Sequence, residues 1–376
     1  MYYNKSPLVI ALAAVVLVLL FTGLAAWHFV SNKSTGIPLG PAVRLPHHIS
    51  QILQTTERYL PTLHRNPDKD RFRLDLLLIS LTDPTKQETI TLLRQQQRNA
   101  LQPMTKILGG TGNVVWVQAL DLFAVNLETK RVLRSSDFTK LNPELAVFLT
   151  SARCEFKDQL IVVSPDQRKA YAIDATTFKA ESVPVPKNVG WINPNATPES
   201  LLCAGGLLAS NEWFGVLTAK DLASDFKTGF RVPLDCPVNL ANESRRLYRG
   251  RLDASAPRPR IEAMEPISDL DYQNCALVRD AKGVALLRLA TPDSVLLTHR
   301  SSTDSGGTLL VTRLEPNGKT GWTADTGIGL LEQVLPDERI IAFIGTRPAV
   351  PNKVPEPILV LLNTSTGGMT THSLWR

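Results

Sequence analysis

From Arg71 onward, apolar residues come in short runs broken every few positions by Asp, Pro, Thr, Gly or Asn. FRLDLLLISL, QETITLL and GNVVWVQALDLFAVNLETKRVLRSS show the pattern, and no long amphipathic helix interrupts it. Runs of this length bounded by turn residues read as strands, so the body is expected to be all-β.

The stretch from Ser305 to Gly327 shows the unit most clearly. Leu309, Val311 and Leu314 give the apolar positions of a short strand suited to a half-buried pleated surface. Glu315, Pro316, Asn317 and Gly318 supply a turn: proline presets φ to about −65°, while Asn and Gly tolerate positive φ. Thr320 and Trp322 then restart an extended run.

The strand-to-turn junction recurs as LFAVNLETKRV at 122–132, KAYAIDATTFKA at 169–180, LLVTRLEPNGKT at 309–320 and ILVLLNTSTGGM at 358–369. Asn126 and Asp174 stand 48 residues apart, as do Glu315 and Asn363. RRLYRGRLDAS and GVALLRLATPDSV suggest irregular copies between them. Periods of ~40–50 residues with several short strands each predict propeller blades rather than a sandwich. At roughly 44 residues per blade, residues 71–376 hold about seven, with six or eight also compatible.

A second pattern precedes the body. Leu8 to Val30, LVIALAAVVLVLLFTGLAAWHFV, holds no formally charged residue in 23 positions. At ~1.5 Å per residue it reaches ~35 Å, enough to cross a hydrocarbon core. Tyr2 and Tyr3 on one side and Trp27 on the other suit the headgroup level. Gly23 and Ala25 would fit a cleavage site, but the apolar run exceeds the ~7–15 residues of a removable leader, which favours a retained anchor. Lys5 before the span and Lys33 and Arg44 after it leave the charge asymmetry nearly balanced. A short N-terminal tail ahead of a large domain suits a signal anchor, with a cytoplasmic N-terminus and an exported body expected.

Three segments follow: residues 1–30 as tail and transmembrane anchor, 31–70 as linker and short membrane-proximal helix, and 71–376 as a β-propeller. The linker reading rests on SNKSTGIPLGP, and the helix on Ile49, Ile52, Leu53 and Leu60 at helical spacing. His47 and His48 read as its solvated start, since adjacent histidines point in different directions and have no carboxylate or thiol at ligand spacing.

Composition changes little. Hydrophobic residues at 43% and charged residues at 20% describe a globular protein. The net charge of +6 is dispersed without a basic run, which argues against a nucleic-acid partner. Cys154, Cys203, Cys236 and Cys275 allow three pairings, with 154–203 and 236–275 closing loops between neighbouring units; four buried free thiols are the alternative.

Linear signatures of catalysis are missing: no GxSxG, GxxxxGK[ST] or HExxH occurs. GGTGN at 109–113 reads as a turn. His299, Ser301 and Asp304 are adjacent in sequence, which is no evidence of triad geometry. Asp269 and Asp271 read as a solvated turn rather than a calcium site. Four prolines from Pro348 to Pro357 stiffen a loop between two apolar strands, and Arg347 and Lys353 on it are candidates to meet an acidic partner.

The phrases NLETKRV, IDATTFK, RLEPNGKTGW and LNTSTGG resemble the strand–Asp–x–x–Thr–Gly–Lys–Trp repeat of quinoprotein-like (PQQ/WD40-type) propellers, with Asn317, Gly318, Lys319 and Trp322 as the nearest match. The chain as a whole resembles uncharacterised membrane-anchored bacterial proteins with such repeats. The resemblance implies a propeller and no cofactor, because the motif builds turns. The paired cysteines and regular Trp docking of quinone-dependent members are missing. No catalytic, cofactor-binding or metal residue is assigned. The expected function is a membrane-tethered, non-catalytic scaffold or binding protein facing the periplasm, with a protein or small ligand on one propeller face. The alternative is an extracytoplasmic enzyme, a hydrolase or quinone-type oxidoreductase, with a site assembled from several blades.

Overall fold

The structure, a computed structural model, describes residues 36–57, 71–96, 105–147, 149, 152–186, 201–209, 212–218, 243–253, 260–283, 285–289, 294–304 and 306–375 of the chain. The span expected at Leu8–Val30 lies outside them. Among the described residues no helix is long and apolar enough to cross a membrane.

The described residues form six antiparallel sheets. Sheet I contains β1 (Gly36–Arg44), β2 (His48–Glu57), β3 (Arg71–Ser80) and β4 (Gln87–Gln96) in chain order. Sheet II is built the same way from β5 (Lys106–Thr111), β6 (Val114–Gln118), β7 (Leu122–Asn126) and β8 (Val132–Arg134). The short helix α1 (Ser135–Leu141) then leads to sheet III: β9 (Arg153–Phe156), β10 (Leu160–Val163), β11 (Ala170–Ile173) and β12 (Ala180–Val183).

The chain next does something the repeat does not announce. The two-residue strand β13 (Leu202–Cys203) pairs into sheet V, and one residue later β14 (Gly205–Ala209) opens sheet IV with β15 (Glu212–Leu217), β16 (Ser244–Asp253) and β17 (Arg260–Gln273). Only then do β18 (Ala276–Val278), β19 (Val295–Arg300), β20 (Leu309–Leu314) and β21 (Thr320–Asp325) complete sheet V. Sheet VI follows with β22 (Leu330–Leu335), β23 (Ile340–Thr346), β24 (Pro357–Asn363) and β25 (Met369–Ser373).

Apolar clusters show which sheets face each other. Ile52, Leu76 and Leu78 of sheet I meet Val115, Val117 and Phe123 of sheet II. Trp116 and Ala124 of sheet II, with Phe138 of α1, meet Leu160 and Val162 of sheet III. Phe214, Val216 and Leu247 of sheet IV meet Leu277, Val295 and Leu297 of sheet V, whose other face packs Leu296 and Val311 on Ile341 and Phe343 of sheet VI. Ile344, Leu359 and Leu361 of sheet VI then close on Ile49, Leu53 and Leu77 of sheet I. The order III–II–I–VI–V–IV is propeller-like, and the first and last described sheets are neighbours.

This sandwiching explains the apolar texture. Leu76, Leu77, Leu78 and Ile79 are consecutive and all buried, because neighbouring sheets cover both faces of β3. Glycines permit the close approach: a Cβ on Gly109 would stand 2.1 Å from the Phe156 ring of sheet III, and one on Gly40 would stand 2.7 Å from the Thr105 carbonyl oxygen.

Two expectations change. Residues 31–70 are not linker and helix where they are described, since Gly36–Arg44 and His48–Glu57 are strands of sheet I. Ile49 and Leu53 face sheet VI while Ile52 faces sheet I's other neighbour, so a strand buried on both sides produced the i, i+3, i+4 spacing of a helix. The described residues form six sheets, beside an expectation of about seven blades with six or eight also compatible. The 154–203 disulfide is not formed: Cys154 and Cys203 are free and buried in different clusters. Cys275 is also free, and Cys236 lies outside the described residues.

Candidate functional site

The recurrent phrases of the sequence are one turn built three times. Asn126 Oδ1 accepts from the backbone N–H of Glu128 and Thr129, Asp174 Oδ1 from Thr176 and Thr177, and Asn363 Oδ1 from Ser365 and Thr366. The fifth residue is left-handed each time: Lys130 at φ 59°, Phe178 at φ 56° and Gly367 at φ 75°. A short polar side chain that caps two backbone donors is why Asn or Asp opens each copy. Glu315–Lys319 is a tighter variant, in which Gly318 N–H donates to Glu315 O and a Cβ on Gly318 would stand 2.3 Å from Ile267 O.

These turns share one end of the molecule. Gly40 lies beside Thr105 and Gly110 beside Leu45, so β1 and β5 run in the same direction. Ala42 and Gln333 exchange two hydrogen bonds of 2.9 and 2.8 Å, and Arg44 pairs with Asp337 at 2.9 Å, which sets β22 in that direction as well. The β1–β2, β5–β6 and β7–β8 turns therefore crowd together at the seam of sheets I and II, at what we call the turn end. Gly36 and the β23–β24 loop lie at the opposite, entry end.

A cavity of about 210 Å³ opens between those three turns, lined by Leu45, His47, His48, Asn113, Val115 and Glu128 among others. Leu45 N–H donates to His48 O at 2.8 Å to close the first turn, Gly112 takes φ 56° in the second, and Leu127 N–H donates to Asn113 O at 2.7 Å to tie the second to the third. Asn113 Nδ2 donates to Glu128 Oε2 at 3.1 Å. Beside them Lys130 and Glu88 form an ion pair of 2.5 Å. Burial pushes the half-buried His48 imidazole below its usual value, Lys130 and His47 push it the same way, and Glu88 partly opposes them. His48 is thus neutral at neutral pH, able to donate from one ring nitrogen and accept at the other.

Chemically the pocket has an apolar floor of Leu45 and Val115 and a polar rim of His47, His48, Asn113 and Glu128. Its volume falls below the ~300 Å³ at which small-molecule sites usually begin, and suits a single inserted side chain. Every segment involved was visible in the sequence, as HHIS, GGTGN and NLETK. Their convergence was not, because it depends on two sheets packing with parallel first strands.

The other singled-out residues do not assemble. His299 Nε2 bonds Thr312 Oγ1 at 2.8 Å and its ring packs on Tyr272, while Ser301 pairs with Thr308 and Asp304 with Ser302. Asp271 pairs with Arg246 at 2.9 Å. No group of three or more His, Cys, Asp or Glu suited to a metal ion occurs among the described residues. On the proline-rich loop, Arg347 Nε bonds Glu356 Oε2 at 2.9 Å, so that cation is engaged within its own loop; Lys353 is exposed.

No family model matches the chain, and no curated protein matches it. Among solved structures it is similar to the β-propeller domain of the Trilobed protease from Pyrococcus furiosus, at 10% identity, with 90% of this chain and 98% of that chain covered and a TM-score of 0.32. A eukaryotic initiation factor overlaps at 9% identity, 89% of this chain, 55% of that chain and a TM-score of 0.24.

Proposed function

We propose that the chain is a membrane-tethered β-propeller, its ring formed by six blades, which holds a partner protein on its turn end in the bacterial periplasm. One observation carries the reading: three turns from two blades converge on a cavity that pairs an apolar floor with His48, Asn113 and Glu128 at its rim. Such a site is built for holding a side chain, and rigid blades present it without reorganisation. The apolar, uncharged run Leu8–Val30 supports the tether.

The test is affinity capture from detergent-solubilised bacterial membranes with the full chain and with Glu128→Lys. A partner retained stoichiometrically by the parent and lost with Glu128→Lys supports the proposal. No stoichiometric partner, or equal capture by both, overturns it. A reporter fused after Arg376 that is active only in the cytoplasm would overturn the periplasmic placement.

A further inference from the structure

The entry end carries the large apolar side chains that the body leaves uncovered near its chain entrance. Ile37, near the start of β1, is 58% exposed; Leu330, at the start of β22, 61%; Val350 and Val354, in the β23–β24 loop, 53% and 76%. The Ala42–Gln333 and Arg44–Asp337 contacts run β1 and β22 side by side in the same direction, so Ile37 and Leu330, each ahead of the paired residues on its strand, both lie at the foot end of that seam. The loop rises from that foot: a Cβ on Gly329 would stand 2.6 Å from Pro348. Leu120, 43% exposed in the β6–β7 turn of the neighbouring sheet, faces the same end.

The loop is held in shape. Arg347 N–H donates to Glu356 O at 2.9 Å, the two side chains pair, and Lys353 N–H donates to Val350 O at 3.0 Å. Pro348, Pro351 and Pro355 restrict the backbone between these contacts. Two valines are thereby held in water instead of folding back onto the sheet, and clustered exposure of this kind marks a contact surface. Lys353, between them in sequence, is exposed as well.

Chain length names the occupant. Six Cα steps separate Val30, the last residue of the uncharged run, from Gly36 at this end, and they span at most ~22 Å when fully extended. With residues 8–30 in a membrane, the seam foot lies within that distance of the lipid. We infer that the entry end rests on the bilayer, with Val350, Val354, Leu330 and Ile37 entering the headgroup region and Lys353 meeting anionic headgroups. This rests on the tether reading above. It orients the molecule: the turn end and its cavity point away from the membrane, toward the partner.

The full chain, in a Cys236→Ser background, is reconstituted into phosphatidylethanolamine–phosphatidylglycerol vesicles with an environment-sensitive fluorophore at Val354→Cys or, separately, at Ser365→Cys in the β24–β25 turn of the opposite end. Blue-shifted emission at position 354 that is lost with headgroup-region nitroxide lipid, beside unshifted and unquenched emission at 365, is expected. Chain that floats with vesicles but shows water-like emission at both positions overturns the inference and leaves the tether standing. Shielding at 354 without nitroxide quenching means a protein cover and also overturns it. Chain that fails to float overturns both readings.

Discussion

Trp322 of sheet V lies across Gly367 of sheet VI: a Cβ on Gly367 would stand 2.8 Å from Trp322 Cδ2, and the backbone there holds φ at 75°. One residue thus meets two demands, the left-handed fifth position of the repeated turn and the flat seat for the neighbouring blade's indole. Only glycine satisfies both.

Gly367→Ala should therefore destabilise by about 1–3 kcal/mol from backbone strain, with a further loss from the displaced indole. Gly112 offers the control, since it holds φ 56° with nothing within 4 Å of a Cβ. Urea midpoints of Gly112→Ala and Gly367→Ala compared at equal m-value isolate the packing part. Equal losses would mean that the Trp322 contact contributes nothing.

The seam between the first and last described sheets should be sensitive to one side chain. Gln333 both accepts from Ala42 N–H and donates to Ala42 O, and Ala42 is buried. Gln333→Leu leaves two buried backbone groups without partners, at about 1–3 kcal/mol each. The half-exposed Arg44–Asp337 pair beside it should cost only about 0–1 kcal/mol when Asp337 becomes Asn. Equilibrium unfolding of the two variants checks the ranking, and a larger loss for Asp337→Asn would reverse it.

Acid should weaken the fold through two histidines. His48 and His299 are both held below the ordinary 6.5, chiefly by burial. The unfolded chain takes up these protons first, so stability rises with pH between the folded and unfolded values. Their contribution is complete above about pH 6.5 and is lost as pH falls through the folded values. Thermal midpoints across pH 5–8 should decline below that point, and His299→Gln should flatten part of the decline. An unchanged slope in the variant would remove His299 from the explanation.

Thiol chemistry should be silent in the native state. Burial pushes the Cys154 and Cys275 thiols up to about 12, and raises Cys203 as well against the opposing Arg279 guanidinium. All three should resist alkylation at pH 8 and react fully once unfolded, as read by peptide mass spectrometry. Modification of Cys154 or Cys275 in the folded chain would contradict their burial.

What the sequence determined by itself is local. A strand of Leu309, Val311 and Leu314, a reversal at Gly318, and Asn or Asp opening NLETK, DATTF and NTSTG follow from side-chain period, positive φ and short-range hydrogen bonding, all within a few residues. The 48-residue spacing carried the repeat for the same reason. Sheet I's first two strands were hidden because packing covers both faces of β2, which erases the alternation that marks a half-buried strand. The detour of β13 into sheet V ahead of sheet IV has no local signal at all. Nor do the cavity and the seam foot: His48 shares a cavity with Asn113 and Glu128, and Ile37 shares an end with Leu330, only because first strands of adjacent sheets run parallel. Turn chemistry is decided over about five residues, while which turns meet is decided by sheet-on-sheet burial of side chains as far apart in sequence as Ile49 and Leu361.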